Sequence, residues 1–126
     1  MRILLVDDDE GFLNNMEGIL REKGHDVVRA QDGKQAREAL EGEKIDLIIS
    51  DVFMPTLDGI RFHSFVRAFT DARDVPFIFI SGRDDERLRA LAAESPNDYF
   101  LLKPAPIENI LALIDRVIRT STEGKS

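Results

Sequence analysis

Acidic residues collect where two apolar runs end. Asp7, Asp8 and Asp9 follow Ile3-Leu4-Leu5-Val6, and Asp51 follows Leu47-Ile48-Ile49-Ser50. Carboxylates held within a few ångströms of one another either rise in pKa or share a cation. The chain has no cysteine and no histidine beside these acids, so the ligand chemistry is that of hard oxygen. It suits Mg²⁺ or a similar ion that completes its octahedron with water. An open coordination position invites a phosphoryl oxygen. Two further apolar runs end in Ser81, a hydroxyl donor, and in Lys103, a compact ammonium on a long stem. Acids, hydroxyl and ammonium around one carboxylate form a phosphoryl-transfer constellation, in which positioning and charge neutralisation carry most of the catalysis. Asp51 is its natural nucleophile.

Each of these residues also has an ordinary explanation. Asp7–Asp9 can cap a helix, and Asp51 can belong to a turn with Pro55 and Gly59. Ser81 before Gly82 is common turn chemistry, and Lys103 before Pro104 can be a solvated lysine. Only their convergence on one rim carries the chemical reading, and convergence requires a particular fold.

The chain reads as a βα unit repeated five times, short branched apolar runs alternating with stretches of three- or four-residue apolar spacing. The predicted first strand, Ile3–Val6, precedes a helix with Phe12, Leu13, Met16, Ile19 and Leu20 on one face, ended by Gly24. A second strand, 25–30, leads to a helix capped by Asp32 that runs through Leu40 and stops at Gly42. The third strand, 45–50, has consecutive rather than alternating apolar residues, so both its faces must be covered, as in a parallel sheet between helix layers. A loop from Asp51 to Asp58 precedes a helix carrying Phe62, Phe65, Val66 and Phe69. A fourth strand spans 76–80, a polar helix with a thin stripe of Leu88, Leu91 and Ala92 spans about 84–94, and a fifth strand spans 99–102. The last helix starts near Pro106 and buries Ile107, Ile110, Leu111, Ile114, Val117 and Ile118. Right-handed crossovers then give a doubly wound α/β fold of strand order 2-1-3-4-5 in three α/β/α layers. Its crevice opens between the carboxyl ends of the first and third strands, where Asp7–Asp9 and Asp51 fall.

Composition sets the outer bounds. A chain of 126 residues, 43% hydrophobic and 33% charged, is the size of one domain and should bury roughly two-thirds of its unfolded surface without staples. The domain is expected over 1–120, with 121–126 a polar tail or the start of a linker. Seventeen basic against twenty-four acidic residues give a net charge of −7, which repels a phosphate backbone and disfavours direct nucleic-acid binding. No apolar run approaches a membrane span or a signal peptide, so a cytoplasmic location without membrane association is expected. His25 and His63 read as structural or surface residues, and the eight phenylalanines as core.

With these residues in view the chain resembles the receiver domain of two-component response regulators over essentially its whole length. ILLVDDDE is similar to that family's acidic first strand, IDLIISDVFMPTLDG to its phosphoacceptor strand and loop, FIFISGR to its switch-hydroxyl strand and YFLLKPAP to its lysine-proline strand. The resemblance implies a flavodoxin-like sheet and phosphoryl transfer onto Asp51 from a histidine kinase or phosphotransfer protein. It implies Mg²⁺ held by Asp7, Asp8 and Asp51 with the backbone carbonyl of Phe53, Ser81 as switch hydroxyl and Lys103 as the phosphate-pairing lysine. Asp9 is then a helix-start residue. The switch aromatic is Phe100 by its spacing from Lys103, or Tyr99 by the usual Asp-Tyr pairing of that strand. Lys103-Pro104 is expected to be cis. The output is a downstream partner or a fused effector domain, and the chain is a signalling phosphoacceptor rather than an enzyme, limited to self-phosphorylation from a phosphodonor and autodephosphorylation.

Three other readings compete. A degenerate receiver would act only as an interaction module, but the full set of phosphorylation residues is present. A Mg²⁺-dependent aspartyl phosphohydrolase of the haloacid-dehalogenase type needs a second acid two residues after its nucleophile, where this chain has Phe53. A flavin carrier would meet the repulsion of three aspartates at its phosphate. Phe53 and Arg83 fall at positions that, by the resemblance, govern water access to the acyl phosphate, and both are bulky, so slow self-dephosphorylation is expected; the cognate kinase, the output and the oligomeric state leave no signal in the sequence.

Overall fold

A computed structural model of the chain describes residues 1–54, 57–68, 72–103 and 106–123, with the backbone alone at 53–54, 57–58 and 121–123. In chain order its elements are β1 (Arg2–Val6), α1 (Glu10–Glu22), β2 (Asp26–Ala30), α2 (Gly33–Gly42), β3 (Leu47–Asp51), β4 (Phe53–Met54), β5 (Leu57–Asp58), α3 (Gly59–Ala68), β6 (Phe77–Ser81), α4 (Glu86–Ala93), β7 (Asp98–Leu102) and α5 (Ile107–Glu123). Five strands pair in parallel in the order β2-β1-β3-β6-β7. This is the doubly wound order expected from the sequence, with β6 and β7 as fourth and fifth strands.

The strands are central because both their faces are apolar. Leu4, Val6, Ile48, Phe77 and Phe79 point to one side and meet Ala36 and Leu40 of α2, Phe62 and Val66 of α3, and Leu88 and Ala92 of α4. Ile3, Leu5, Leu47, Ile49, Ile78 and Ile80 point to the other and meet Leu13, Met16 and Leu20 of α1 and Ile110, Ile114 and Val117 of α5. Three layers follow from that alternation.

Local signals fix the helix ends. Asp9, Asp32 and Asp85 cap α1, α2 and α4, their carboxylates accepting the amides of Phe12, Gln35 and Arg87 at 3.2, 2.8 and 2.8 Å. At the end of α1, Gly24 adopts a φ of +89°. Its amide donates to Arg21 O and that of His25 to Leu20 O, at 3.0 and 3.1 Å, a Schellman closure that a side chain at residue 24 would strain.

Apart from shifts of a residue or two at the ends of β6, β7 and α4, the structure differs from the sequence reading in the following details. The third strand starts at Leu47 rather than Ile45, because the Asp46 carboxylate takes the Arg2 amide at 2.8 Å and so occupies that donor with a side chain. The segment expected as a plain loop contains a two-residue antiparallel hairpin, β4 with β5, pairing Phe53 with Asp58 and Met54 with Leu57, too short to carry a periodicity. Helix α5 continues to Glu123, so 121–123 extend it. Phe69, Pro104 and Ala105, and with Pro104 the expected cis peptide, lie outside the described residues.

Candidate functional site

The site lies at the carboxyl ends of β1, β3, β6 and β7. Asp7 follows β1 and is 1% exposed. Its Oδ1 accepts the Asp9 amide at 2.9 Å, and its Oδ2 accepts from Lys103 Nζ at 2.7 Å. The same ammonium lies 3.6 Å from Asp51 Oδ2, so Lys103 reaches in from beyond β7 and bridges the ends of β1 and β3. The ammonium also lies over the Phe12 ring of α1, 4.5 Å from its centroid. The lysine backbone is fixed as well, its amide donating to Ser81 O at 2.6 Å.

Asp51 is half-buried and closes β3, and its Oδ1 accepts the Val52 amide at 2.8 Å. Burial holds its carboxyl above the usual range. The Lys103 charge opposes that shift, Asp7 reinforces it, the Val52 amide opposes it and Asp8 reinforces it. Asp7, Asp8 and Asp51 each offer a carboxylate oxygen, and these oxygens all lie within 4.8 Å of one another. Three hard anionic donors at that separation fit a small divalent cation that keeps several waters. Asp9 stands outside the cluster and caps α1. Phe53 opens β4 immediately beyond Val52.

Ser81 ends β6 and is fully buried, its Oγ accepting the Arg83 amide at 3.0 Å. Phe100 pairs in register with Phe79 and packs against the core cluster on the face of the sheet covered by α2–α4. Alternation from Phe79 puts Ser81 on that face too. Tyr99 packs against the cluster on the opposite face, which α1 and α5 cover. His25 and His63 lie toward the amino ends of the strands, His25 3.3 Å from the terminal amine and His63 buried against Asp98 at 3.0 Å.

Some contributors gave no legible signal. Gly59 opens α3, its amide donating to Val52 O at 3.1 Å. A Cβ there would lie 2.7 Å from Val52 Cα and 2.8 Å from Asp51 O, so glycine lets α3 press directly on the strand end that carries Asp51. The Asp58-Gly59 pair, an ordinary turn signal, was the available hint. Phe12 was legible as core but not as the lysine's neighbour.

The family model for the response regulator receiver domain matches residues 3–115. Similar proteins include the response regulator MprA of Mycolicibacterium vanbaalenii, 32% identical over 122 residues that cover 97% of this chain and 52% of that protein. The alkaline phosphatase synthesis transcriptional regulatory protein PhoP of Bacillus subtilis is 32% identical over 120 residues, covering 95% of this chain and 49% of that protein. The chain thus spans about half the length of the curated relatives it matches. Among solved structures, the chemotaxis response regulator CheY4 of Vibrio cholerae has a TM-score of 0.83 at 27% identity, covering 92% of this chain and 97% of that one. The receiver domain of a sensor histidine kinase from Pseudomonas aeruginosa, solved with magnesium coordinated in its active-site cleft, has a TM-score of 0.81 at 29% identity, covering 93% and 96%.

The chain belongs to the response regulator receiver family. It is a phosphoacceptor domain of two-component signalling, from a signalling rather than a catalytic family whose members generally bind Mg²⁺ and work with histidine kinases and output domains. The phosphohydrolase and flavin-carrier readings fall away.

Proposed function

We propose that Asp51 is the phosphoacceptor. The observation that carries this is the convergence of Lys103 Nζ on Asp7 at 2.7 Å and on Asp51 at 3.6 Å, two of the three carboxylates whose oxygens lie within 4.8 Å of one another. An Asp51 carboxylate oxygen attacks the phosphorus of a phosphohistidine on a sensor kinase or phosphotransfer protein. The P–N bond breaks, the phosphorus–oxygen bond to Asp51 forms, and the departing imidazole takes its proton from solvent. Lys103 pairs with a phosphoryl oxygen, and Ser81 turns its hydroxyl from the Arg83 amide to donate to another. Mg²⁺, held by Asp7, Asp8, Asp51 and the Phe53 carbonyl, supplies charge neutralisation on the phosphoryl oxygens when bound. A small phosphodonor serves in place of the kinase, and the same site releases the phosphoryl group to water.

The acyl phosphate adds about −1.5 to −2 charge. Drawing Ser81 toward it opens space on the α2–α4 face of the sheet, into which Phe100 rather than Tyr99 moves, since Phe100 shares that face. The conformational change is read by an output partner or fused effector; relatives twice this length favour the fused form. A cytoplasmic setting without nucleic-acid or membrane contact suits the net charge of −7, and among the described residues no helix is long and apolar enough to cross a membrane.

Intact-mass spectrometry after acetyl phosphate and Mg²⁺ tests the assignment. The parent should gain one phosphoryl group and Asp51→Asn none. Modification that survives the substitution would put the acceptor elsewhere, and an unmodified parent would make the chain a phosphorylation-independent interaction module.

A further inference from the structure

Phe100 lacks the hydroxyl with which a tyrosine could latch to a hydrogen-bond partner, yet its ring is held. The guanidinium carbon of Arg89, one turn into α4, lies 4.8 Å from the ring centroid. The Arg89 Nε donates to the Asp84 carboxylate. Asp84 belongs to the 82–85 turn between Ser81 and α4, the same turn whose Arg83 amide holds the Ser81 hydroxyl at 3.0 Å. Both Arg89 and Asp84 have about half or more of their side chains exposed, 51% and 60%. The pair therefore adds little as an isolated ion pair; its importance is geometric. Phe100 is partly buried and packs against the core cluster to which Leu88 and Ala92 of α4 belong.

We propose that Arg89 is a positioning residue that clamps Phe100 in the unphosphorylated arrangement and, through Asp84, ties release of that ring to movement of the Ser81 turn. The inference rests on the reading of Asp51 as phosphoacceptor. When the phosphoryl group draws Ser81 toward Asp51, the turn carrying Asp84 shifts and the guanidinium loses its anchor. The ring then leaves the cation for the space behind Ser81. The cation–π contact opposes phosphorylation until that moment, so removing it should favour the phosphorylated form by an amount set by a partly exposed contact of this kind, about two- to fivefold.

The test measures binding of beryllofluoride, a phosphoryl mimic, in the presence of Mg²⁺, together with the aromatic NMR signals of Phe100. The variants are the parent chain, Arg89→Ala, Arg89→Lys, Asp84→Ala, Phe100→Leu and the Arg89→Ala/Phe100→Leu double variant. Arg89→Ala should bind the mimic about two- to fivefold more tightly and shift the Phe100 ring signals even without the mimic. Asp84→Ala should act in the same direction, and Arg89→Lys, which keeps a cation, should restore part of the parent affinity. In the Phe100→Leu background Arg89→Ala should have no effect, because the ring it acts through is gone. A parent that binds the mimic, with Arg89→Ala unchanged or weakened in affinity or with unmoved ring signals, overturns the clamp alone. A parent that does not bind the mimic overturns the Asp51 assignment and the clamp with it.

Discussion

Lys103 has two tasks that draw on one charge. It neutralises Asp7, which has almost no access to water, and it stands beside Asp51, where a phosphoryl group would arrive. Removing one member of a buried pair costs roughly 3–5 kcal/mol because the other charge is left uncompensated. A quarter of the lysine side chain is exposed, so Lys103→Met should destabilise the chain by an amount at or below the lower end of that range. Urea titration with and without Mg²⁺ checks it: the ion should recover part of the loss in the variant, since it supplies the missing positive charge. Recovery by K⁺ at equal ionic strength would point to screening instead. The separate residues were all legible in the sequence, because aspartates, a serine and a lysine at strand ends can be read from hydrophobic patterning. Which oxygen the ammonium meets was not, since the groups around it, among them the Phe12 ring 4.5 Å away, come from distant parts of the chain and Phe12 looks like ordinary core.

At the scale of elements, α3 is fastened at both ends to strands that matter. Its start is Gly59, pressed against the backbone of Asp51 and Val52. Gly59→Ala would put its Cβ under 3.0 Å from backbone atoms of both Asp51 and Val52 and must displace helix or strand, at a cost of about 1–3 kcal/mol. Urea unfolding should show that loss, and acetyl-phosphate labelling of the folded variant should be slower than in the parent. Further along, His63 and Arg67 converge on Asp98 at the start of β7, and Arg67 also donates to Arg73 O and Val75 O at 2.9 and 2.7 Å. Burial alone would raise the Asp98 carboxyl, but hydrogen bonds from His63 and Arg67 outweigh it and hold the group below the usual carboxylate range. The folded chain therefore keeps this carboxylate ionised to a lower pH than the unfolded chain. Its contribution is complete above the unfolded value near about 3.9 and is lost as pH falls through the lower folded value. Asp98→Asn should consequently lie furthest below the parent in stability near neutral pH, and the gap should narrow in acid below about pH 4, as followed by urea titrations across that interval. Helix and strand identities were legible here from periodicity, whereas the β4–β5 hairpin and the Asp98 cluster were not. Two-residue strands have no period, and a pairing between residues 63 and 98 has no local signature.

For the molecule as a whole, strand order followed from the apolar, uninterrupted strands and the alternation with helices, and the five-stranded parallel sheet has that order. The same sheet is a partition. Its interior presents two greasy surfaces that share no side chain, one owned by α1 and α5 and the other by α2, α3 and α4. In the proposed switch Ser81, Phe100 and Arg89 all work on the second side, so the first would keep its packing while the second rearranges. On that proposal the receiver would have a stationary back and a responsive front. A protein gripping α1 and α5 would then not have to let go when the message is written, and one waiting at α4 would meet a surface that has changed.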